Sequence, residues 1–120
     1  MCCKAEMPKY QNARMLEWLK EQSSNTELIL SVCSGSLLLG RAGLLHGLTA
    51  TTHYAALDEL RNISSSISID SSKRFIDNGR VIISAGISAG IDMSLYVVAR
   101  LLGREQAIET ARYMEYEWQA

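Results

Sequence analysis

Glu27-Leu28-Ile29-Leu30-Ser31-Val32-Cys33-Ser34-Gly35-Ser36-Leu37-Leu38-Leu39 is the stretch on which the fold turns. Glu27–Val32 is a short apolar run with the length of a fully buried parallel strand, and it ends at Cys33. Ser34-Gly35-Ser36 then opens a helix through Leu37, Leu38, Leu39 and Ala42, which Gly43 closes before the Gly47 turn. A cysteine at the seam between strand and helix, with small residues close by, has the arrangement of a nucleophile elbow. The sharp turn presents the side chain at the carboxyl end of the sheet, and Gly35 is expected to avoid a clash with the strand. Unpaired N–H groups at the helix start stabilise a thiolate and can receive a substrate oxyanion, so the backbone of Ser34 and Gly35 becomes the candidate oxyanion hole. The same position also suits a small core hydrophobe, because the pattern is short.

Upstream, Met15, Leu16, Trp18 and Leu19 recur at helical spacing between Asn12 and Gln22, followed by the polar break Ser23-Ser24-Asn25. Downstream, Thr49–Thr52 is β-prone and leads through His53 into a helix expected over Tyr54–Arg61. Ile67 and Ile69 then alternate with serines, and Phe75-Ile76 and Val81–Ile83 flank Asn78-Gly79, which reads as a hairpin. Past Ser84-Ala85-Gly86 comes a long helix with Ile91, Leu95, Val98 and Leu102 on one face, and a last one over Arg104–Tyr116 with Ala107, Ile108, Ala111 and Met114 as its stripe. Gly86 and Gly90 suit tight turns and close helix–sheet approach, Asp92 suits the dipole of a first helical turn, and Tyr113, Tyr116 and Trp118 suit core packing or a dimer contact. Helices separated by short buried strands imply a mostly parallel sheet covered on both faces: an α/β, flavodoxin-like three-layer sandwich. Only one central strand precedes the hairpin, so the fold is expected to be truncated at its N-terminus.

The 120 residues bound one domain, and their 48% hydrophobic and 21% charged content is that of a globular chain. A net charge of −1 gives no electrostatic footprint for nucleic acid, and no apolar run reaches the roughly 20 residues of a membrane helix. Without a secretory pattern at Met1–Pro8 the expected compartment is the cytoplasm, and the odd count of three cysteines argues against a disulfide framework. No ligand spacing suggests a metal or an organic cofactor. His53, 20 positions after Cys33, would face the same crevice from the end of a neighbouring strand as a general base or as the group orienting the thiolate, and it equally suits a capping role. His46 falls in the Leu45-His46-Gly47 turn and is expected to be solvated.

The blocks Ser31-Val32-Cys33-Ser34-Gly35, Ala42-Gly43-Leu44-Leu45-His46-Gly47, Ala50-Thr51-Thr52-His53-Tyr54-Ala55-Ala56-Leu57-Asp58 and Ser84-Ala85-Gly86-Ile87-Ser88-Ala89-Gly90-Ile91-Asp92 resemble consecutive motifs of the ThiJ/PfpI family, within the class I glutamine amidotransferase-like superfamily. The resemblance spans about residues 10–118. It is similar in kind to the isonitrile hydratase branch and to the sensor domains of AraC-type regulators. It implies that Cys33 is the elbow cysteine and His53 a pocket histidine, and that Ser34 stands where those branches carry a hydroxyl. It also implies an acidic residue near the end of a first strand and a Gly-Gly segment before the Asn12–Gln22 helix. Neither has a match here: Glu6, Glu17 and Glu21 precede or lie on a surface helix.

The function implied is that of a cysteine-dependent hydratase acting on a small electrophilic carbon, with turnover impaired by the missing acid. The alternatives are a ligand-sensing domain related to AraC-type regulators and an inactive remnant. The sequence stops at Ala120 without a basic helix-turn-helix segment, so DNA contact by this polypeptide is not expected. The expected partners are a small-molecule substrate or ligand and, through an unpaired sheet edge beside Glu27–Val32, further copies of the chain.

Overall fold

Residues 12–119 are described by a computed structural model. Asn12 is extended, and its side chain accepts the Met15 N–H at 3.1 Å, which starts helix α1, Ala13–Ser23. Met15, Leu16 and Leu19 pack half-buried against the core, as their spacing predicts, while Trp18 stays exposed. Strand β1, Ile29–Ser31, passes through Val32 and Cys33 into α2, Gly35–Arg41, whose residues from Ser36 to Gly40 are all buried. Gly43, at φ +77°, closes α2: its N–H donates to the Gly40 carbonyl and that of Leu44 to Leu39.

Strand β2, Thr49–Ala50, is followed by a short 3-10 turn, Tyr54–Ala56, and by α3, Leu57–Arg61. The single helix expected over this stretch is therefore broken, because the His53 ring takes the Ala55 N–H and tightens the first turn. Strands β3, Ser68–Ile69, β4, Phe75–Asp77, and β5, Val81–Ser84, precede α4, Ile87–Leu102, and α5, Arg104–Tyr113.

The strands form two sheets, ordered β1-β5-β4 and β2-β3. β1 runs parallel to β5 with Ile29 opposite Val81 and Ser31 opposite Ile83, and β2 runs parallel to β3. Only the β4–β5 hairpin is antiparallel, and Gly79 takes φ +94° in its turn. Asn78 joins the two sheets: its side-chain amide accepts the Thr49 N–H at 3.2 Å and donates to the Thr49 carbonyl at 2.8 Å. That pair of bonds is what a residue of an adjacent strand would otherwise supply.

All of β5 is buried, and its alternating side chains divide between two cores. Val81 and Ile83 join Leu37, Leu39, Leu45 and Leu60 on one face, whereas Ile82 joins Met93 and Val97 of α4 on the other. Helices thus cover both faces of a mostly parallel sheet, the flavodoxin-like α/β architecture read from the sequence. Among the described residues β1 pairs along one edge only.

Three local expectations change. The buried face of α4 carries Ala89, Gly90, Met93, Leu95 and Val97, while Leu102 is exposed. This helix is apolar nearly all round and packs on both β5 and α5, so its period alone does not choose a face. Of the α5 stripe, Ala107 and Ala111 are buried and Ile108 and Met114 are exposed. The helix also stops at Tyr113 because Glu115 takes φ +54°, with its N–H on the Arg112 carbonyl and that of Tyr116 on Ala111, the same cap that Gly43 makes.

The third change concerns close approach to the strand. A Cβ at Gly35 would lie 3.7 Å from Ser31 Cβ, an ordinary contact, so room for the strand is not what that glycine provides. At Gly90 a Cβ would come 2.6 Å from Val32 Cγ1, and this is where α4 is drawn onto the sheet. Because a β-branched side chain yields little, Gly90→Ala should lower stability by about 1–3 kcal/mol in urea unfolding. Glu115→Gly should raise it by about 0.5–1 kcal/mol, since the left-handed backbone strains a residue with a Cβ and glycine gives back part of that gain through its freer unfolded chain.

Candidate active site

Cys33 adopts φ +59° between β1 and α2, a conformation that a residue with a Cβ rarely holds without support. Both of its peptide groups are tied. Its N–H donates to the Ala85 carbonyl at 3.1 Å, extending the β1–β5 ladder by one step beyond the strands. Its carbonyl accepts the hydroxyl of Thr52 at 2.9 Å, and Thr52 is itself fully buried. The side chain is only 1% exposed. Cys2 and Cys3, the other cysteines, lie outside the described residues.

Ser34 occupies the N-cap position of α2 with φ −76° and ψ 0°, and its side chain makes no capping bond. The Gly35 N–H, one of the two candidate oxyanion donors, is donated to the Val32 carbonyl at 3.0 Å. Two further hydroxyls flank the elbow. Ser31 Oγ and Ser36 Oγ are buried and have no hydrogen-bond partner among the described residues, an arrangement that costs about 1–3 kcal/mol per group.

His53 reaches the same rim by a different route. Thr52 brings it beside the elbow, and its Nδ1 accepts the Ala55 N–H at 3.1 Å. A neutral ring with Nδ1 engaged as acceptor carries its proton on Nε2, so it offers the site a donor rather than a base. The Cδ2–Nε2 edge lies over Gly86: a Cβ there would stand 3.2 Å from Cδ2 and 3.9 Å from Nε2. Gly86 follows Ala85, the residue that holds the Cys33 N–H, so the two candidate residues meet at the Ala85-Gly86 loop. Tyr54 is exposed and its ring leans on the imidazole with centroids 4.6 Å apart.

Asp92 is not in the first turn of α4, which begins at Ile87, and so does not serve the helix dipole. Instead, Arg74 Nε and Nη2 donate to its Oδ2 at 2.7 and 2.6 Å, and the Tyr116 hydroxyl donates to Oδ1 at 2.7 Å. That bond to Asp92, with burial and the carboxylate charge behind it, pushes the Tyr116 phenol above its ordinary range. Tyr113 is exposed rather than packed in the core, and His46 is exposed as predicted. Glu17 and Glu21 lie exposed on α1, and Glu6 falls outside the described residues. Among the described residues no cluster of His, Cys, Asp or Glu could hold a metal ion, and no helix is long and apolar enough to cross a membrane.

Residues 6–100 match the model of the DJ-1/PfpI family. The chain belongs to the DJ-1/PfpI family. An isonitrile hydratase from Pseudomonas putida is 35% identical over 109 residues, which cover 91% of this chain and 46% of that protein. The HTH-type transcriptional regulator CdhR from Pseudomonas aeruginosa is 32% identical over 97 residues, 81% of this chain and 29% of the regulator. In fold, a THiJ/PfpI family protein from Pseudomonas syringae superposes with a TM-score of 0.85 and 32% identity, over 98% of this chain and 47% of that one. The chain thus spans about half the length of the hydratase and of the solved DJ-1/PfpI relative, and less of the regulator.

The Ser36 hydroxyl of α2, unpartnered among the described residues, gives a direct test of how tightly the turn at Cys33 is packed in this DJ-1/PfpI chain. Ser36→Ala should stabilise the fold by about 1 kcal/mol in urea unfolding, since it removes a buried polar group that gains nothing from the protein. A loss of stability would show that the hydroxyl has a partner.

Proposed function

We propose that the protein is a cysteine-dependent enzyme of the isonitrile hydratase type, with Cys33 as nucleophile toward a small electrophilic carbon. The observation that carries this reading is the left-handed backbone of Cys33, braced at its N–H by Ala85 and at its carbonyl by Thr52. Strain of this kind persists only where the surrounding structure over-determines it, and it concentrates at functional sites. A cysteine serving only as core filler needs no such conformation. The 35% identity to an isonitrile hydratase, across nearly all of this chain, supports the choice of reaction.

On an isonitrile, the sulfur of reduced Cys33 bonds to the terminal carbon, which takes up one proton to give a thioimidate. Water oxygen then adds to that carbon while the nitrogen takes a second proton, and the C–S bond breaks to regenerate the thiolate and release an N-substituted formamide. One water is consumed, supplying the oxygen and both hydrogens, and no redox change occurs. His53, with its proton on Nε2 at the rim, is the donor in reach of the loop that holds Cys33, and water restores what it gives.

Turnover by these 120 residues on their own is expected to be weak. The acid that the family resemblance implies has no match among Glu17 and Glu21, which are exposed on α1, and a positioned acid or base contributes about a hundred- to ten-thousand-fold. Hydration of cyclohexyl isocyanide by the reduced protein, followed as formamide by mass spectrometry, should fall below that of the P. putida hydratase by about this factor and vanish in Cys33→Ser. Undiminished turnover in Cys33→Ser sinks the nucleophile assignment. The regulator relatives and the near-complete burial of Cys33 favour a second reading, ligand sensing without chemistry. Saturable binding of the isocyanide with no Cys33 adduct and no formamide would establish it instead.

A further inference from the structure

The sequence reading assigned Arg74 no role, and neither does the reaction above, yet two different parts of this residue hold the two ends of one short loop. Its main-chain carbonyl accepts the Ala85 N–H at 2.8 Å, at the point where β5 ends. Its guanidinium grips the first turns of α4, with two nitrogens on Asp92 Oδ2 and Nη2 also donating to Ser88 Oγ at 3.1 Å. Between those anchors lie Ala85, whose carbonyl holds the Cys33 N–H, and Gly86, which lies under the His53 imidazole. The Tyr116 hydroxyl, turned back by the left-handed Glu115, occupies the other Asp92 oxygen and fixes the carboxylate that Arg74 grips.

We propose that Arg74 is a positioning residue for the candidate site: it sets the Ala85-Gly86 loop, and through that loop the geometry of Cys33 against His53. The proposal rests on the reading of Cys33 as the reactive group. An exposed ion pair alone contributes little to stability. Here the pair spans the junction between the hairpin and the N-terminal end of α4, so its main effect is on where that end sits. A planar fork that meets a carboxylate with two nitrogens and a hydroxyl with one fixes direction as well as distance, which a lysine ammonium does not.

The same two elements carry an internal control. Arg100, on the last turns of α4, pairs with Asp77 Oδ2 of β4 at 3.2 Å, and Tyr96 also donates to that carboxylate. This second latch joins hairpin to helix without touching the Ala85-Gly86 loop. A merely structural contribution from Arg74 should therefore be matched by Arg100, whereas a positioning role should not.

The test compares the reduced 120-residue protein with Arg74→Met, Arg74→Lys and Arg100→Met, each shown to be folded by circular dichroism. The first readout is the pH–rate profile of Cys33 alkylation by iodoacetamide, resolved from Cys2 and Cys3 by peptide mass spectrometry. Arg74→Met should displace the midpoint of that profile by about one pH unit, roughly a tenfold change in rate at a fixed pH. Arg74→Lys should recover only part of the shift, and Arg100→Met should leave the midpoint in place. The second readout does not depend on reactivity: amide exchange at Cys33 and Ala85 should quicken by about tenfold or more in Arg74→Met and not in Arg100→Met. Equal shifts in both methionine variants, or none in Arg74→Met beside an activated wild-type cysteine, overturn the positioning role while leaving the reactive-cysteine reading intact. A wild-type Cys33 that alkylates like that of the urea-unfolded chain overturns that reading and the proposal with it.

Discussion

The backbone of Cys33 is the constraint on which the arrangement of the site depends. A residue with a Cβ at φ +59° is strained, and here the strain is held by hydrogen bonds to elements distant in the chain, Ala85 after β5 and Thr52 after β2. Those two anchors dictate which elements must meet. Ala85 can reach Cys33 only if β5 lies parallel beside β1 in the register that sets Ile29 against Val81. Thr52 can reach the Cys33 carbonyl only if β2 ends at the same height, which the Asn78 amide secures by clasping Thr49. His53 arrives at the rim as a by-product of the Thr52 bond, being the next residue. The catalytic proposal therefore draws on the same bonds that hold the two sheets in place.

Glycine is used at the site for room rather than for turning. Gly86 and Gly90 both lie in the loop-to-helix passage after β5, and neither has a positive φ, yet a side chain on either would meet a neighbour: His53 at Gly86 and Val32 at Gly90. The close approach of α4 to β1 and the seating of the imidazole are thus permitted by missing atoms in one short stretch. Arg74 then fixes from outside what those glycines allow from within.

The order of elements and the strand-to-helix turn at Cys33 were legible because they rest on local patterns. A short apolar run ending in Cys-Ser-Gly, a Gly that caps α2, and an Asn-Gly turn each announce themselves within a few residues. The linked blocks around Cys33, His53 and Gly86 fixed their mutual spacing, and the structure brings those blocks together. What stayed hidden is what long-range bonds decide. Nothing local to Thr52 says that its hydroxyl will hold the Cys33 carbonyl, and nothing near Arg74 points to Asp92 on a helix 18 positions away. The same limit explains the misplacement of Asp92 and of the buried face of α4, since both depend on where the helix starts and on what packs against it. For His53 residue type left a base, a thiolate-orienting group and a cap all open, because it does not reveal which ring nitrogen a neighbouring N–H will occupy.

The topology also sets the order in which this molecule can be built. The bond from the Ser84 hydroxyl to the Ser31 carbonyl closes a loop of 53 positions, and the parallel β1–β5 pairing beside it spans a comparable length. Local pieces such as α4, α5 and the β4–β5 hairpin can form early, but the left-handed cysteine has nothing to hold it until β5 docks on β1. Folding is then expected to be slow for a chain of this size, with the elbow among the last features to become rigid. Until that step the cysteine is an ordinary residue in a flexible chain, and its special geometry comes into existence together with the native state.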